Sequence, residues 1–270
     1  MNKNAPFFSL ITVCFNSAAT IERTIKSVLA QTFTDYEYII VDGGSKDSTL
    51  EIVKKYEPMF EGRMKWKSEP DSGIYNAMNK GVKRSSGTII GIVNSDDWLE
   101  TDALKIVHET AVKGGFNNNE IFTGNLRFHY KSGKSIVHKT SKERYNRLSR
   151  YYGMGLYHPA TFVSRGVYES IGLYDENYKL CADTDFIIRC YKAGINVIFI
   201  DKILSNMMDG GASNNSSKKI LKDVLYKIRK HSKSRFEYIF LYAKCYVDWI
   251  LHEITPNGVI EIYRKIKSKK

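Results

Sequence analysis

Cysteine is scarce and scattered. Cys14, Cys181, Cys190 and Cys245 form no CxxC pair and no His/Cys ligand spacing. That argues against a disulfide framework and a structural zinc site, and fits a reducing cytosol. No uninterrupted apolar stretch approaches the roughly 18 residues of a membrane span. The opening MNKNAP leads into only about seven apolar residues, Phe7 to Val13, with no small-residue cleavage site behind them, so it reads as a strand and not as a signal peptide. No GxGxxG follows the first apolar run and no GxxxxGKS/T occurs, which removes the dinucleotide fingerprint and the P-loop. Internal repeats are absent as well. A soluble or surface-bound protein is expected.

What remains is ample. The 270 residues are 43% hydrophobic, enough for one large domain or two small ones with a sizeable core. Lys and Arg number 41 against 29 Asp and Glu, a formal charge of +12, which points to an anionic partner: nucleic acid, a membrane face or a phosphorylated small molecule. Nucleic acid is the weakest of these, because the charge is broad, the aromatics read as core positions and no nucleic-acid motif is present.

The first hundred residues alternate strand and helix patterns. FFSLITVCF is β-branched and aromatic, AATIERTIKSVLAQ places Ile21, Ile25, Val28 and Leu29 at helical spacing, and YEYIIVDGG is a second apolar run. STLEIVKKYEPMF, MKWKSEPDSG, IYNAMNKGVKRS and GTIIGIVNSDDW continue as helix, strand, helix and strand. Such alternation predicts βαβ units and a mostly parallel sheet, whose ligands lie outside the carboxyl ends of the strands. That rule selects CFNSAAT, VDGGSKDST, SEPDSGIYNA and NSDDW, all rich in Asp, Asn, Ser and Gly, which are also the ordinary residues of turns and helix caps.

Two of these loops have a specific chemistry. Asp96 and Asp97 are adjacent carboxylates whose repulsion a hard cation such as Mn2+ or Mg2+ relieves; capping the next helix is the other reading. Asp42 can accept from a base N–H or a ribose hydroxyl, while Gly43 and Gly44 allow a ligand close to the backbone.

The order SLITVCFNSAATIERTIKSVLAQTFTDYEYIIVDGGSKDST, then SEPDSGIYNAMNKGVKRSSGTIIGIVNSDDWL, resembles the family 2 glycosyltransferases with a GT-A fold, over residues 7–212. The resemblance implies an α/β fold with a mostly parallel, Rossmann-like central sheet flanked by helices. Residues 1–100 would form a nucleotide-sugar-binding half and 101–212 an acceptor and base half. It implies a nucleotide-diphosphate sugar donor, with UDP favoured, bordered by Thr12, Phe15 and Asn16. Asp42 would hold the base, Gly44 and Asn76 would join the donor set, and Asp71 would lie near the diphosphate or sugar. Asp96 and Asp97 match the family's metal motif, with Asn94 where many relatives carry Asp. Asn94 brings an oxygen but no charge, so Asp97 is expected as the first metal ligand and Asp96 as the second.

In the second half, KLCADTDFIIRC resembles the family's acidic motif before a helix and places Asp183 as general base, although locally Asp183 also reads as a helix cap. Asp185 and Arg189 would support the site or contact acceptor or phosphate, and His158 in YHPATF would do either or be structural. MMDGGASN resembles a Gly-Gly-Ser loop that closes over the donor, with a plain linker as the other reading. The Gln-x-x-Arg-Trp motif of processive relatives is missing, which implies transfer of a single sugar, and the family resemblance implies that the transfer inverts the anomeric centre. The acceptor expected is a saccharide or lipid-linked saccharide in cell-surface polysaccharide synthesis. A non-catalytic nucleotide or carbohydrate binding module on the same scaffold is the rival reading.

Residues 213–270 read as a basic helical tail. Phe236, Ile239, Phe240, Ala243, Val247, Ile250, Leu251 and Ile254 fall on one stripe. The stripe would either touch the inner face of the cell membrane, making a cytoplasmic protein peripheral, or pack on the catalytic domain or a second subunit; a homodimer is left open.

Overall fold

The computed structural model describes residues 5–150, 153–210 and 217–254. They divide into two compact units, Met1–Asn215 and Ser216–Lys270. In the first unit the chain runs β1 (Phe8–Cys14), α1 (Ile21–Leu29), β2 (Tyr36–Asp42), α2 (Thr49–Tyr56), β3 (Met64–Ser68), α3 (Ile74–Arg84), β4 (Ile89–Ile92), β5 (Trp98–Leu99), α4 (Ala103–Lys113), β6 (Glu120–His129), β7 (Ser135–His138), α5 (Lys142–Ser149), β8 (Thr161–Ser164), α6 (Arg165–Ile171), α7 (Ala182–Lys192) and β9 (Asn196–Met208). The second unit is a pair of helices packed on each other, α8 (Ser217–His231) and α9 (Arg235–Ile254).

One sheet organises the first unit, in the order β3-β2-β1-β4-β8-β6-β9-β5, with β7 paired to β6. Strands β3, β2, β1 and β4 are parallel throughout, as the alternation of the first hundred residues predicts. Both β1 and β2 are buried at every position, which is why they read as continuous apolar runs. Beyond β4 the sheet is mixed. β8 enters antiparallel to both β4 and β6, β6 and β9 are again parallel, and the KSGK turn joins β6 to β7 as an antiparallel hairpin.

Helix packing on the parallel half is close. Gly81 of α3 sits where a Cβ would overlap the Ile11 side chain, so the helix can lie directly on β1. A core cluster of buried residues joins Phe8, Leu10, Ile25, Tyr38 and Ile40 to Leu104, Phe122 and Phe162, and so runs across both halves of the sheet. Four elements escape the sequence reading. β5 is only two residues long and pairs antiparallel with β9; β8 and α6 are short; and α5 begins at Ser141, whose hydroxyl accepts from the Arg144 amide as an N-cap.

Candidate active site

The parallel strands end level with one another. Cys14 pairs with Asp42, and Asp42 with Ser68, so the loops after β1, β2 and β3 leave the sheet along a single edge. The β4 loop joins them through the Val93 amide, which donates to the Ile11 carbonyl at 2.8 Å. Four loops from distant parts of the sequence therefore meet where a doubly wound sheet places its ligand.

The first three are bound into one surface. Asn16 takes a left-handed backbone conformation, φ 49°, which Asn tolerates better than most residues. Its amide donates to the Ser45 hydroxyl at 2.8 Å and its side-chain oxygen accepts from the Lys46 amide at 2.8 Å. Phe15 is left 62% exposed at the cleft mouth. Gly43 lies against it: a Cβ there would be 2.5 Å from Asp71 Oδ2 and 3.4 Å from the Phe15 ring, so the missing side chain leaves the room these two occupy. Asp71 Oδ1 accepts from the Gly73 amide at 2.9 Å, at the entry to α3.

Asp42 sits beneath this surface. It is fully buried, and its Oδ2 accepts from the Gly44 and Ser45 amides at 3.0 Å each and from the Ser68 hydroxyl at 2.7 Å. The Ser45 hydroxyl and Cys14 thiol donate to Oδ1. Burial works against its charge, yet these donors hold the carboxyl below its ordinary range. With its oxygens so engaged, Asp42 organises the Gly43–Gly44 turn from within.

Thr12 departs from expectation. It is fully buried; its hydroxyl donates to the Val93 carbonyl at 2.8 Å and accepts from the Tyr38 hydroxyl at 2.9 Å. It is interior because alternate β1 side chains face into the helix layer, and it lies under the cleft instead of bordering it. Asn76 donates to Glu176 at 2.8 Å, and Asn79 to Glu176 and the Tyr174 carbonyl, which fastens α3 to the 174–176 segment.

The acidic pair shows an imbalance. Asp97 is 1% exposed, and the Asn94 amide donates to its Oδ2 at 2.9 Å. Its Oδ1 and the Asn94 oxygen are buried with no protein partner. Burial, and then Asp96 beside it, push the Asp97 carboxyl up to about 7, against the Asn94 and Met208 amides and the Arg23 guanidinium. Burial likewise raises Asp96. Two unpartnered oxygens beside crowded carboxylates fit a hard divalent cation, and the donor set of Asp97, Asp96 and Asn94 suits Mn2+ or Mg2+. Among the described residues no group of three or more His, Cys, Asp and Glu is placed to cage a metal. Such a set relies on substrate oxygens to complete the coordination.

Arg23 is a site residue the sequence reading did not single out. Its guanidinium stacks 3.8 Å from the centre of the Trp98 ring and donates to the Asp96 carbonyl at 2.7 Å. Its placement follows from the fold: the first turn of α1 starts at the carboxyl edge of β1, so a residue just off the Ile21–Ile25–Val28 stripe faces the β4 loop.

Asp183 stands on the first turn of α7, and the Tyr75 hydroxyl donates to its Oδ1 at 3.1 Å. Tyr75 is the second residue of α3, so this bond brings Asp183 to the edge where the Asp71 loop ends. The narrow pocket around Asp183 is lined by Ile92 at the end of β4 and by Leu156, His158, Thr161 and Tyr174. Burial lowers the His158 pKa and the nearby Asp183 charge opposes it, so the imidazole tends to be neutral. Tyr75, likewise unanticipated, is pushed far above the ordinary tyrosine range by burial and by Asp183, and so keeps its proton as a donor.

Asp185 and Arg189 do not face that pocket. Asp185 is fully buried, accepting from Tyr178 at 3.0 Å and Arg189 Nε at 2.8 Å. Arg189 also donates to the Ile171 and Leu173 carbonyls, both at 2.7 Å. An aspartate two positions along a helix points about 200° away, so Asp185 faces inward where Asp183 faces the cleft. These bonds tie α7 to the 171–178 segment, and neither side chain lines the pocket around Asp183. The MMDGGASN loop lies outside the described residues from Gly211 onward.

With this geometry in place, the glycosyl transferase family 2 model matches residues 9–172. The chain belongs to that family. A PGL/p-HBAD biosynthesis glycosyltransferase of Mycobacterium bovis is 33% identical over 192 residues, covering 69% of this chain and 70% of the relative. The glycosyltransferase AglE of Haloferax volcanii is 25% identical over 218 residues, covering 76% and 67%. Among solved structures, S. aureus TarS 1–349 in complex with UDP-GlcNAc superposes with a TM-score of 0.64 at 18% identity, over 91% of this chain and 72% of that one. Against the longer TarS structure the chain spans 42% of its length. The mannosyltransferase PcManGT from Pyrobaculum calidifontis, in complex with GDP-Man and Mn2+, gives 0.62 at 13% identity, over 98% and 81%. These likenesses show a GT-A fold, and this family 2 member is a glycosyltransferase.

Proposed function

We propose that this chain is an inverting transferase that moves one sugar from a nucleotide-diphosphate donor, UDP-linked in the first instance, to a hydroxyl of a saccharide or lipid-linked saccharide in cell-surface glycan synthesis. The observation that carries the reading is the pairing of Asp183, held by Tyr75 in a pocket walled by the end of β4, with the unpartnered Asp97 and Asn94 oxygens on the loop that β4 delivers. The nucleotide-sugar complexes of TarS and PcManGT support the donor class.

Phe15 offers a flat apolar face for the base, and the turn organised by Asp42 brings the Gly43–Gly44 backbone up to the nucleotide. Asp71 is placed for the sugar or diphosphate. Asp183 accepts the proton of the acceptor hydroxyl as that oxygen attacks the anomeric carbon; the bond to the diphosphate oxygen breaks on the opposite face, and a single displacement inverts the centre. A divalent cation held by Asp97 and Asp96 with the Asn94 oxygen would supply positive charge to the departing diphosphate. The acceptor end would lie at the inner face of the cell membrane.

A panel of UDP-, GDP- and dTDP-sugars with Mn2+ or Mg2+ identifies the donor. Asp183→Asn should then lower transfer to a defined acceptor by about 100-fold or more, and transfer at the wild-type rate would remove Asp183 from the base role. Full activity in excess chelator would remove the metal. Donor binding with no turnover on any acceptor would favour the binding-module reading.

A further inference from the structure

The second unit carries an exposed apolar stripe on α9. Phe236 is 80% exposed, Ile239 55% and Phe240 59%, and Ala243 is exposed one turn further on. These positions follow the i, i+3, i+4, i+7 spacing of one helical face of α9. No other helix among the described residues presents three large exposed apolar side chains on one face. In the sequence the same spacing continues through Val247, Ile250, Leu251 and Ile254.

The charge around the stripe is equally one-sided. Residues 216–270 hold 14 Lys and Arg against five Asp and Glu, which is nine of the chain's twelve net positive charges. At the α8–α9 junction, directly before Phe236, a recess is lined by Arg229, Lys233 and Arg235 with Ser232, Ser234 and Tyr238. Three exposed cations thus stand at the head of an exposed apolar face. A second copy of the chain would match the apolar face but set one basic rim against another. A bilayer with anionic headgroups satisfies both halves: phosphate for the cations, acyl chains for the stripe. No helix among the described residues is long and apolar enough to cross a membrane, so the mode is insertion in the plane of the surface.

We infer that α9 docks flat on an anionic membrane, with Phe236, Ile239 and Phe240 entering the acyl boundary and Arg229, Lys233 and Arg235 on lipid phosphates. This gives a physical basis to the lipid-linked acceptor in the reading above and rests on that reading only for its purpose. The test is flotation of the full chain with vesicles of phosphatidylcholine alone or mixed with phosphatidylglycerol. The wild type should float with the anionic vesicles. Joint replacement Phe236→Ser, Ile239→Ser and Phe240→Ser should cut the bound fraction at least about tenfold, as should Arg229→Gln, Lys233→Gln and Arg235→Gln together, whose residual binding should respond less steeply to salt than that of the wild type. All six positions are exposed, so circular dichroism should be unchanged, and so should transfer to a water-soluble acceptor.

Equal flotation of wild type and either variant would overturn the assignment. So would a wild type that ignores both vesicles, and if it then lost a dimer on the Ser substitutions, a second copy would be the occupant. A chain that floats as expected but transfers no sugar would keep the docking surface and discard the catalytic reading.

Discussion

The Asn94 side-chain amide donates to Oδ2 of Asp97 at 2.9 Å, and this bond leaves the Asn94 oxygen and Asp97 Oδ1 both buried without a protein partner. An uncompensated pair of this kind costs stability unless a ligand meets it, typically about 1–3 kcal/mol per buried group. Asn94→Asp should therefore make the metal-free protein less stable, since a third carboxylate joins Asp96 and Asp97, and should make Mn2+ raise the melting temperature more than it does in the wild type. Asp97→Asn should lower Mn2+ affinity about tenfold or more. Calorimetric titration of Mn2+ in the presence of UDP, with thermal melts, reads both. A Mn2+ affinity indifferent to both substitutions would place the metal elsewhere.

Gly43 separates donor binding from stability. Its absent Cβ would come 2.5 Å from Asp71 Oδ2, the end of a movable side chain, and 3.4 Å from Phe15. Gly43→Ala should therefore push the Asp71 carboxylate aside without unfolding the loop. We expect donor KM to rise about tenfold with a melting temperature close to wild type, measured by steady-state transfer and thermal denaturation. A large fall in stability instead would mean that the backbone, not Asp71, gives way.

For Thr12 the expectation is the reverse. Thr12→Val keeps the shape but strips the partner from both the Tyr38 hydroxyl and the Val93 carbonyl in the core. The cost should be about 2 kcal/mol in denaturant unfolding, with donor KM unchanged. A KM effect without a stability effect would return Thr12 to the nucleotide site.

The contrast between Gly43 and Thr12 shows what was legible in the sequence. Apolar runs and helical stripes gave away β1 to β4 and the loops at their ends, because a parallel sheet covered on both faces imposes that pattern strongly. Asp71, Asp96, Asp97 and Asp183 could be picked out by residue type and position. Side-chain direction could not be read in the same way: Thr12 and Asp42 are adjacent to the cleft in sequence but turn beneath it. Tyr75 and Arg23 matter through contacts with residues 108 and 73 positions away, which no local spacing encodes. β5 and β8 pair only with distant strands and are too short to show periodicity.

Asp185→Asn tests the division of labour on α7. Asp185 is buried against Arg189 and Tyr178, and removing its charge leaves the Arg189 guanidinium paired only with backbone carbonyls. Breaking a buried pair from one side should cost about 3 kcal/mol. Activity per folded molecule should fall far less than for Asp183→Asn. Equal losses of kcat for the two variants, in protein shown to be folded, would mean that Asp185 also reaches the acceptor.

Glu37 supplies the expected acid dependence. It is 4% exposed at the start of β2, where its Oε1 accepts from the Ser9 hydroxyl at 2.7 Å and from the Ser86 amide and hydroxyl, and its Oε2 from Lys65 at 2.9 Å. Burial alone would raise its pKa, but the Lys65 ammonium, the Ser86 amide and the two hydroxyls outweigh it and lower the carboxyl from 4.5 to about 2. A folded-state pKa below the unfolded one means the unfolded chain takes up the proton first. The stabilisation is therefore complete above the unfolded value near 4.5 and is lost as pH falls toward about 2. Glu37→Gln should cost about 2 kcal/mol at neutral pH, and the gap between wild type and variant in urea unfolding should close across that acid window. A gap that stays constant with pH would assign the effect to packing and not to the charge.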